Sequence, residues 1–265
     1  MGKKQSLAGG IKKIFGRNKK DTKSVTDNVL SENSPFFVKE AYKALRTNLV
    51  FSLTESGGKI ILFTSPGAAE GKSTNCLNTA ITFAETGVKV CVVDCDLRKP
   101  NLARLNNEKG NPGLSNVLVN LNSLDEVIRK SKYPNLDCIY SGNIPPNPAE
   151  LLVSGKMDKT LEELASKYDY VFIDTPPINV VTDTTLLVGR ASGVLLVVRQ
   201  GETTKEDLSD ALQQLEFVKA KVLGVLFNDF KLEQNNKYGR KHGKYRYYNY
   251  NYRYAYKLPA GDDNN

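Results

Sequence analysis

Histidine occurs once in these 265 residues, as His242 in a polar stretch. That leaves nothing from which to build a His-based zinc site or a Ser-His-Asp triad. Cysteine is also scarce. Cys76, Cys91, Cys95 and Cys138 sit in or beside apolar stretches and no pair has C-x-x-C spacing, so they read as reduced, mostly buried thiols in a cytosolic protein. No apolar run reaches the ~18 residues a membrane span needs, which argues against an integral membrane protein. Met1 to Lys20 also lacks the continuous apolar stretch of a secretory signal. Aliphatic residues are nearly missing from residues 231–265. That segment cannot pack a core and is expected to be a disordered tail. The remainder is long enough to bury a core without staples.

The charge is unevenly distributed. The chain has 37 Lys and Arg against 29 Asp and Glu, net +8. Residues 1–34 hold eight basic and three acidic residues, net +5, and residues 231–265 hold the same numbers. Subtracting both from +8 leaves −2 for residues 35–230. The basic character therefore belongs to two arms, and such arms suit an anionic partner: lipid head groups, nucleic acid or an acidic protein face. In the first arm, LAGGIKKIFGRNKK can form a short basic helix with Leu7, Ile11, Ile14 and Phe15 on one side, a candidate for peripheral contact with an anionic membrane. The second arm holds eight of the thirteen tyrosines: Tyr238, Tyr245, Tyr247, Tyr248, Tyr250, Tyr252, Tyr254 and Tyr256. The expected organisation is a basic flexible arm (1–34), a folded domain (35–230) and a tyrosine-rich tail (231–265).

Within the domain, FVKEAYKALRTNLVFSL has helical spacing, with Phe37, Ala41, Ala44, Leu45, Leu49 and Leu53 as its apolar positions. Short apolar runs follow: GKIILFTS, VKVCVVDCD, LDCIYSG, YDYVFIDTPP, GVLLVVRQG and KVLGVLFND. Helical stretches such as residues 72–86, MDKTLEELASKY and TKEDLSDALQQLEFVKA separate them. This alternation predicts a doubly wound α/β fold with a mostly parallel sheet, ligands binding at the carboxyl ends of its strands.

The strongest chemical signal is F-T-S-P-G-A-A-E-G-K-S-T, residues 63–74. It follows a predicted strand and opens a predicted helix, which is the setting of a P-loop. Backbone N–H groups of Gly67, Ala68, Ala69, Glu70 and Gly71 and the helix start would cradle phosphates. Lys72 would reach the β- and γ-phosphates without making a core contact, Ser73 would ligate Mg²⁺, and Thr74 would cap the α-phosphate side. The loop is a deviant Walker A, since Pro66 stands where the first glycine usually is. Two further motifs end strands: V-V-D-C-D-L-R with Asp94 and Asp96, and V-F-I-D-T-P-P with Asp174. Three carboxylates and a lysine around a nucleotide fit Mg²⁺ chemistry. Arg98 is a candidate for added positive charge and Asn228 for an adenine contact. SGNIPPNPAELL predicts a proline-rich turn followed by a helix start.

Taken together, SPGAAEGKST, VVDCDLRKP, FIDTPP, SGNIPPNPAELL and the terminal tyrosine cluster resemble the bacterial tyrosine kinases (BY-kinases) of capsule and exopolysaccharide operons, over roughly residues 35–256. The resemblance implies ATP- and Mg²⁺-dependent phosphorylation of protein tyrosine, chiefly autophosphorylation of the tail. It implies Asp94 as the base, with Asp96 and Asp174 serving the metal, although the residues alone leave Asp94 and Asp174 exchangeable. It also implies a separate transmembrane activator of the polysaccharide co-polymerase type, a cognate tyrosine phosphatase, and a cytoplasmic location at the inner face of the membrane through that partner. The family's E-x-x-R-x-x-R oligomerisation motif is matched in part by Glu40, Lys43 and Arg46, which implies a ring-like homo-oligomer. Lys43 stands in place of an arginine and cannot make a bidentate contact. The main rival is a partition or cell-division switch ATPase, whose loop carries a signature lysine where this chain has Gly67. A third reading, the tail as a nucleic-acid arm, leaves the Mg-ATP site unexplained, so no nucleic-acid partner is expected.

Overall fold

The structure is a computed structural model that describes residues 25–53 and 60–229. The helix expected around Leu7 to Phe15 and the tyrosine cluster from Tyr238 to Tyr256 lie outside the described residues. In chain order the elements are α1 (Phe36–Leu53), β1 (Ile60–Thr64), α2 (Lys72–Ala84), β2 (Val90–Asp94), α3 (Leu102–Leu105), α4 (Leu114–Leu118), α5 (Leu124–Val127), β3 (Arg129–Lys130) and β4 (Leu136–Ile139). They continue with α6 (Pro148–Leu152), α7 (Gly155–Lys167), β5 (Tyr170–Asp174), α8 (Asp183–Val188), β6 (Gly193–Arg199), α9 (Lys205–Phe217) and β7 (Val222–Asn228).

The seven strands form one sheet in the order β3-β4-β2-β5-β1-β6-β7. All neighbours are parallel except β3 against β4. The two faces bury separate clusters because alternate strand residues point to opposite sides. Ile61 and Phe63 of β1 pack toward α1 and α2, and Leu62 packs toward the opposite cluster with Leu161, Leu164 and Leu215. The doubly wound α/β expectation holds. The proline-rich turn also leads into a helix, with Asn147 before it and Pro148 at its first turn.

Three features differ from the sequence reading. The folded part begins before residue 35: Val29 and Leu30 are buried, the Leu30 N–H donates to Asn78 Oδ1 at 2.8 Å, and the Tyr133 hydroxyl donates to the Leu30 carbonyl. Helix α1 is turned from its expected orientation. Leu45, Leu49 and Leu53 face the core as expected, but Val38 and Tyr42 complete that face, while Phe37 is 72% exposed and Ala41 and Ala44 are exposed. Each residue turns a helix by about 100°, so a small rotation brings Tyr42 and Arg46 onto α2 in place of Ala41 and Ala44. Finally, α3, α4, α5, α8 and the two-residue β3 were not foreseen, because elements of two to six residues are too short to show a period.

All four cysteines are buried free thiols, as expected. Burial pushes Cys76, Cys91 and Cys95 well above the ordinary thiol range and Cys138 up to about 12, so none is poised as a thiolate nucleophile. Among the described residues, no helix is long and apolar enough to cross a membrane.

Candidate active site

Register builds the site. Phe63 of β1 and Asp94 of β2 are both aligned with Asp174 of β5. Three central strands therefore end level, and the loop leaving β1 passes directly over the two aspartates. That loop, residues 65–71, is held by its own polar groups. The Ser65 hydroxyl donates to the Gly67 carbonyl at 2.6 Å, and the Gly67 N–H donates to Glu70 Oε2 at 3.0 Å. The Thr203 hydroxyl donates to Glu70 Oε1 at 2.5 Å, and Asn228 Nδ2 donates to the Glu70 carbonyl at 2.8 Å. Ala69 (φ 63°) and Gly71 (φ 92°) adopt left-handed backbone. Alternation of this kind aims successive N–H groups inward to form an anion-binding nest.

A Cβ on Gly71 would lie 2.1 Å from Asn228 Nδ2, at a backbone angle that L side chains rarely adopt. Gly71→Ala is therefore expected to lower stability by about 1–3 kcal/mol and to weaken nucleotide binding at least about tenfold, since about 1.4 kcal/mol of lost contact suffices. Thermal melting and nucleotide titration check both effects; an unchanged affinity would mean that the loop does not hold the phosphates.

Lys72, the first residue of α2, is only 8% exposed. Its Nζ donates to Asp96 Oδ2 at 3.0 Å and to Asp174 Oδ1 at 3.3 Å and lies 3.3 Å from Ser73 Oγ. The lysine thus has the partners of a core ion pair, contrary to the expectation of no core contact. Burial works against its charge, but Asp174, Asp96 and Asp94 outweigh it and hold the ammonium above its ordinary range. Asp94 is fully buried. Its Oδ1 accepts the Asp96 N–H at 3.2 Å, and its Oδ2 accepts the N–H groups of Asn101 at 3.1 Å and Leu102 at 3.0 Å. Burial first, then the charge of Asp174, pushes its carboxyl up to about 7. Burial also raises Asp174, against the pull of Lys72. Asp96 Oδ1 accepts the Lys99 N–H at 2.9 Å.

One oxygen is left over: Asp174 Oδ2 is buried with no hydrogen-bond partner among the described residues. Three carboxylates around a single lysine leave the group short of positive charge. A cation held beside phosphate would meet both the unsatisfied oxygen and the excess negative charge, and Ser73, Asp96 and Asp174 would be its protein donors. No cluster of three or more His, Cys, Asp or Glu among the described residues forms a metal cage. A hydroxyl and two carboxylates are oxygen donors of the kind Mg²⁺ takes alongside water and phosphate oxygens.

The remaining candidates are placed as follows. Thr74 lies in the first turn of α2, partly exposed. Arg98 forms a fork with the buried Asp183, Nε to Oδ2 at 2.8 Å and a terminal N–H to Oδ1 at 2.9 Å. Asn228 ends β7 and clamps the phosphate loop. Glu40 and Lys43 pair with each other on α1 at 2.8 Å, whereas Arg46 donates to the Thr82 carbonyl of α2 at 2.7 Å. The three motif positions therefore do not form one free stripe. Sequence reading missed the support behind the loop: Asn75 Nδ2 donates to the Gly71 carbonyl at 2.9 Å, and Asn75 Oδ1 accepts from the Tyr42 hydroxyl at 2.8 Å. Asn75 and Asn78, spaced to share a side with the apolar residues of α2, were the available signal, since a buried amide needs partners.

The fold and loop define a P-loop nucleotide-binding protein, and the comparisons agree. Residues 58–227 match the family model described as an AAA domain. The chain is 38% identical over 213 residues to tyrosine-protein kinase YwqD of Bacillus subtilis, covering 80% of this chain and 90% of that one. It is 37% identical to the longer EpsB of Ralstonia nicotianae, of which it spans 28%. It superposes on the crystal structure of the chimerical protein CapA2B2 with a TM-score of 0.72 and 34% identity, covering 76% of this chain and 87% of that chain. The septum site-determining protein MinD of Pyrococcus horikoshii, complexed with Mg-ADP, shares the fold at a TM-score of 0.57 and 22% identity, over 66% of this chain and 72% of that one. The chain belongs to the bacterial tyrosine-protein kinases. It is an enzyme of that class and not a switch ATPase.

Proposed function

We propose that this kinase transfers the γ-phosphoryl group of Mg-ATP to tyrosines of its own C-terminal cluster, Tyr238 to Tyr256, and so regulates capsule or exopolysaccharide synthesis and export. The observation that carries the reading is the Lys72 ammonium between Asp96 and Asp174 under a phosphate-binding loop, with one Asp174 oxygen unsatisfied. Mg²⁺ held there would neutralise charge on the transferring group. Lys72 then swings from the carboxylates toward the phosphates while the amides of residues 67–72 hold them. Asp94 takes the phenolic proton. A phenol's pKa near 10 makes early proton removal difficult, but a loose phosphoryl-transfer transition state asks for it only late. A carboxyl at about 7 is better matched to that task than an ordinary aspartate. Three backbone N–H groups fix its position and leave Oδ1 one lone pair.

Around this chemistry we place a transmembrane activator, a tyrosine phosphatase that resets the tail, and self-association through the exposed side of α1 carrying Glu40 and Lys43, with Arg46 securing α1 to α2. The enzyme then works at the inner face of the membrane through its activator. The test is to incubate the purified chain with Mg-ATP and map phosphate by mass spectrometry. Phosphotyrosine at residues 238 to 256, abolished by a chelator, is the expected result. Release of inorganic phosphate with no phosphotyrosine would overturn the proposal.

A further inference from the structure

A groove of about 1070 Å³ opens past the end of β4, the strand next to β2, bounded by residues between Pro100 and Asn111, by Arg129 of β3 and by the turn after β4 that ends at Ile144. Three cations line it: Arg104, Lys109 and Arg129. None of them is in an ion pair among the described residues, whereas Arg98, Lys130, Lys167 and Arg190 all are. Glu108 is the single carboxylate on the lining. Arg104 is set in place through Nε, which donates to Asn101 Oδ1 at 2.9 Å. The Asn101 N–H in turn holds Asp94, so the turn that positions the proposed base also positions a guanidinium. The lining is not only basic. Pro100, Ala103 and the exposed Ile144 supply apolar surface.

We propose that this groove is a subsite for a phosphotyrosine two or four residues from the acceptor, so that each phosphate placed on the tail helps to deliver the next tyrosine. The inference rests on the kinase reading and adds an order of events to it. An aromatic ring bearing about −1.5 to −2 charges matches an apolar wall beside three free cations. The spacing also matches. Neighbouring strands lie about 4.8 Å apart and an extended chain advances about 6.8 Å every two residues. A peptide with one tyrosine at the end of β2 therefore carries its next same-side residue past the end of β4, where the groove begins. The tail repeats tyrosine at that spacing, at Tyr248, Tyr250, Tyr252, Tyr254 and Tyr256. Before phosphorylation the tail is basic and the groove repels it. The first phosphate offsets only part of the tail's net +5, but it sets about −1.5 to −2 charges on one ring that the groove's cations can hold, so phosphorylation should show a lag and then accelerate.

The experiment reads binding without ATP. The full chain, dephosphorylated and freed of phosphatase, is titrated with a fluorescent peptide of residues 244–257, either unmodified or carrying phosphotyrosine at position 252 or phosphoserine there instead. The phosphotyrosine peptide should bind about tenfold tighter than either, the worth of one or two charge-assisted hydrogen bonds plus ring contact. Arg104→Ala/Lys109→Ala/Arg129→Ala should remove that preference, and Glu108→Gln should strengthen it. The second variant carries the test by itself if the triple variant does not fold. Equal preference in the triple variant, no gain in Glu108→Gln, or equal binding of phosphoserine would each overturn the phosphotyrosine subsite. Because no phosphoryl transfer is involved, its failure is separate from failure of the kinase reading, which the Mg-ATP assay decides.

Discussion

Lys72→Met is expected to abolish phosphotyrosine formation, by at least about 10²–10³-fold if it removes only one transition-state donor, and also to lower thermal stability. The second effect follows from the structure. Among the described residues Lys72 is the only cation paired with Asp96 and Asp174, and Asp94 sits fully buried beside them. Removing one partner of a buried ion pair costs about 3–5 kcal/mol because the other charge is stranded. The loss should depend on pH in a definite direction. Without the ammonium, Asp94 and Asp174, whose carboxyls burial already raises, are raised further above their unfolded values and take up protons on folding. Stability is then present at low pH and lost as pH rises through the raised folded values. The variant should melt closer to wild type at pH 5 than at pH 8. Phosphotyrosine detection and thermal melts at the two pH values check both parts. An unchanged melt at pH 8 would show that Lys72 is not a structural counter-charge, and near-normal activity would show that the loop is misassigned.

Much of this site was legible because its signals are local. A P-loop announces itself as an apolar strand, a small-residue turn and G-K-S at a helix start, and Asp94 and Asp174 each close an apolar strand. What sequence could not show is the set of long-range clamps that make those residues a site. Glu70 belongs to the loop itself, but its partners Thr203 and Asn228 are 133 and 158 positions away. Arg98 reads as a candidate for positive charge at the site until the fold brings Asp183 to it across 85 positions and occupies its guanidinium. Helix α1 misled for a different reason. Both of its sides carry apolar residues, so periodicity alone could not choose between Ala41 and Tyr42. The choice is made by the buried amides of α2: Asn78 Nδ2 donates to the Tyr42 hydroxyl at 3.1 Å, and that hydroxyl donates to Asn75. Satisfying the polar groups sets the rotation, and Phe36, Phe37 and Phe51 are left at the surface.

Asp94→Asn separates two roles that the geometry combines. As a base with a carboxyl at about 7, Asp94 must be ionised to act, so kcat/KM of the wild-type enzyme should rise with pH through about 7. The variant should lose about 10²–10⁴-fold in rate and lose that rise as well. As a structural group, Asp94 has a sign of its own. Its folded value lies above the ordinary 3.8, so its contribution to stability is full below about 4 and is lost as pH climbs to about 7. Lifting a fully buried carboxyl that far corresponds to about 4 kcal/mol at most. An uncharged asparagine escapes this penalty but cannot accept all three N–H groups of Asp96, Asn101 and Leu102. The variant should therefore be less stable than wild type at pH 4, where both residues are neutral and only the amide contacts differ, and should close the gap or overtake it at pH 8. A rate that falls equally at every pH, with the rise through pH 7 retained, would assign Asp94 to positioning the 95–102 turn and put the base elsewhere. The loss of both the rise and the high-pH stability penalty in one variant would tie the same carboxylate to proton removal and to the strain stored beside Lys72.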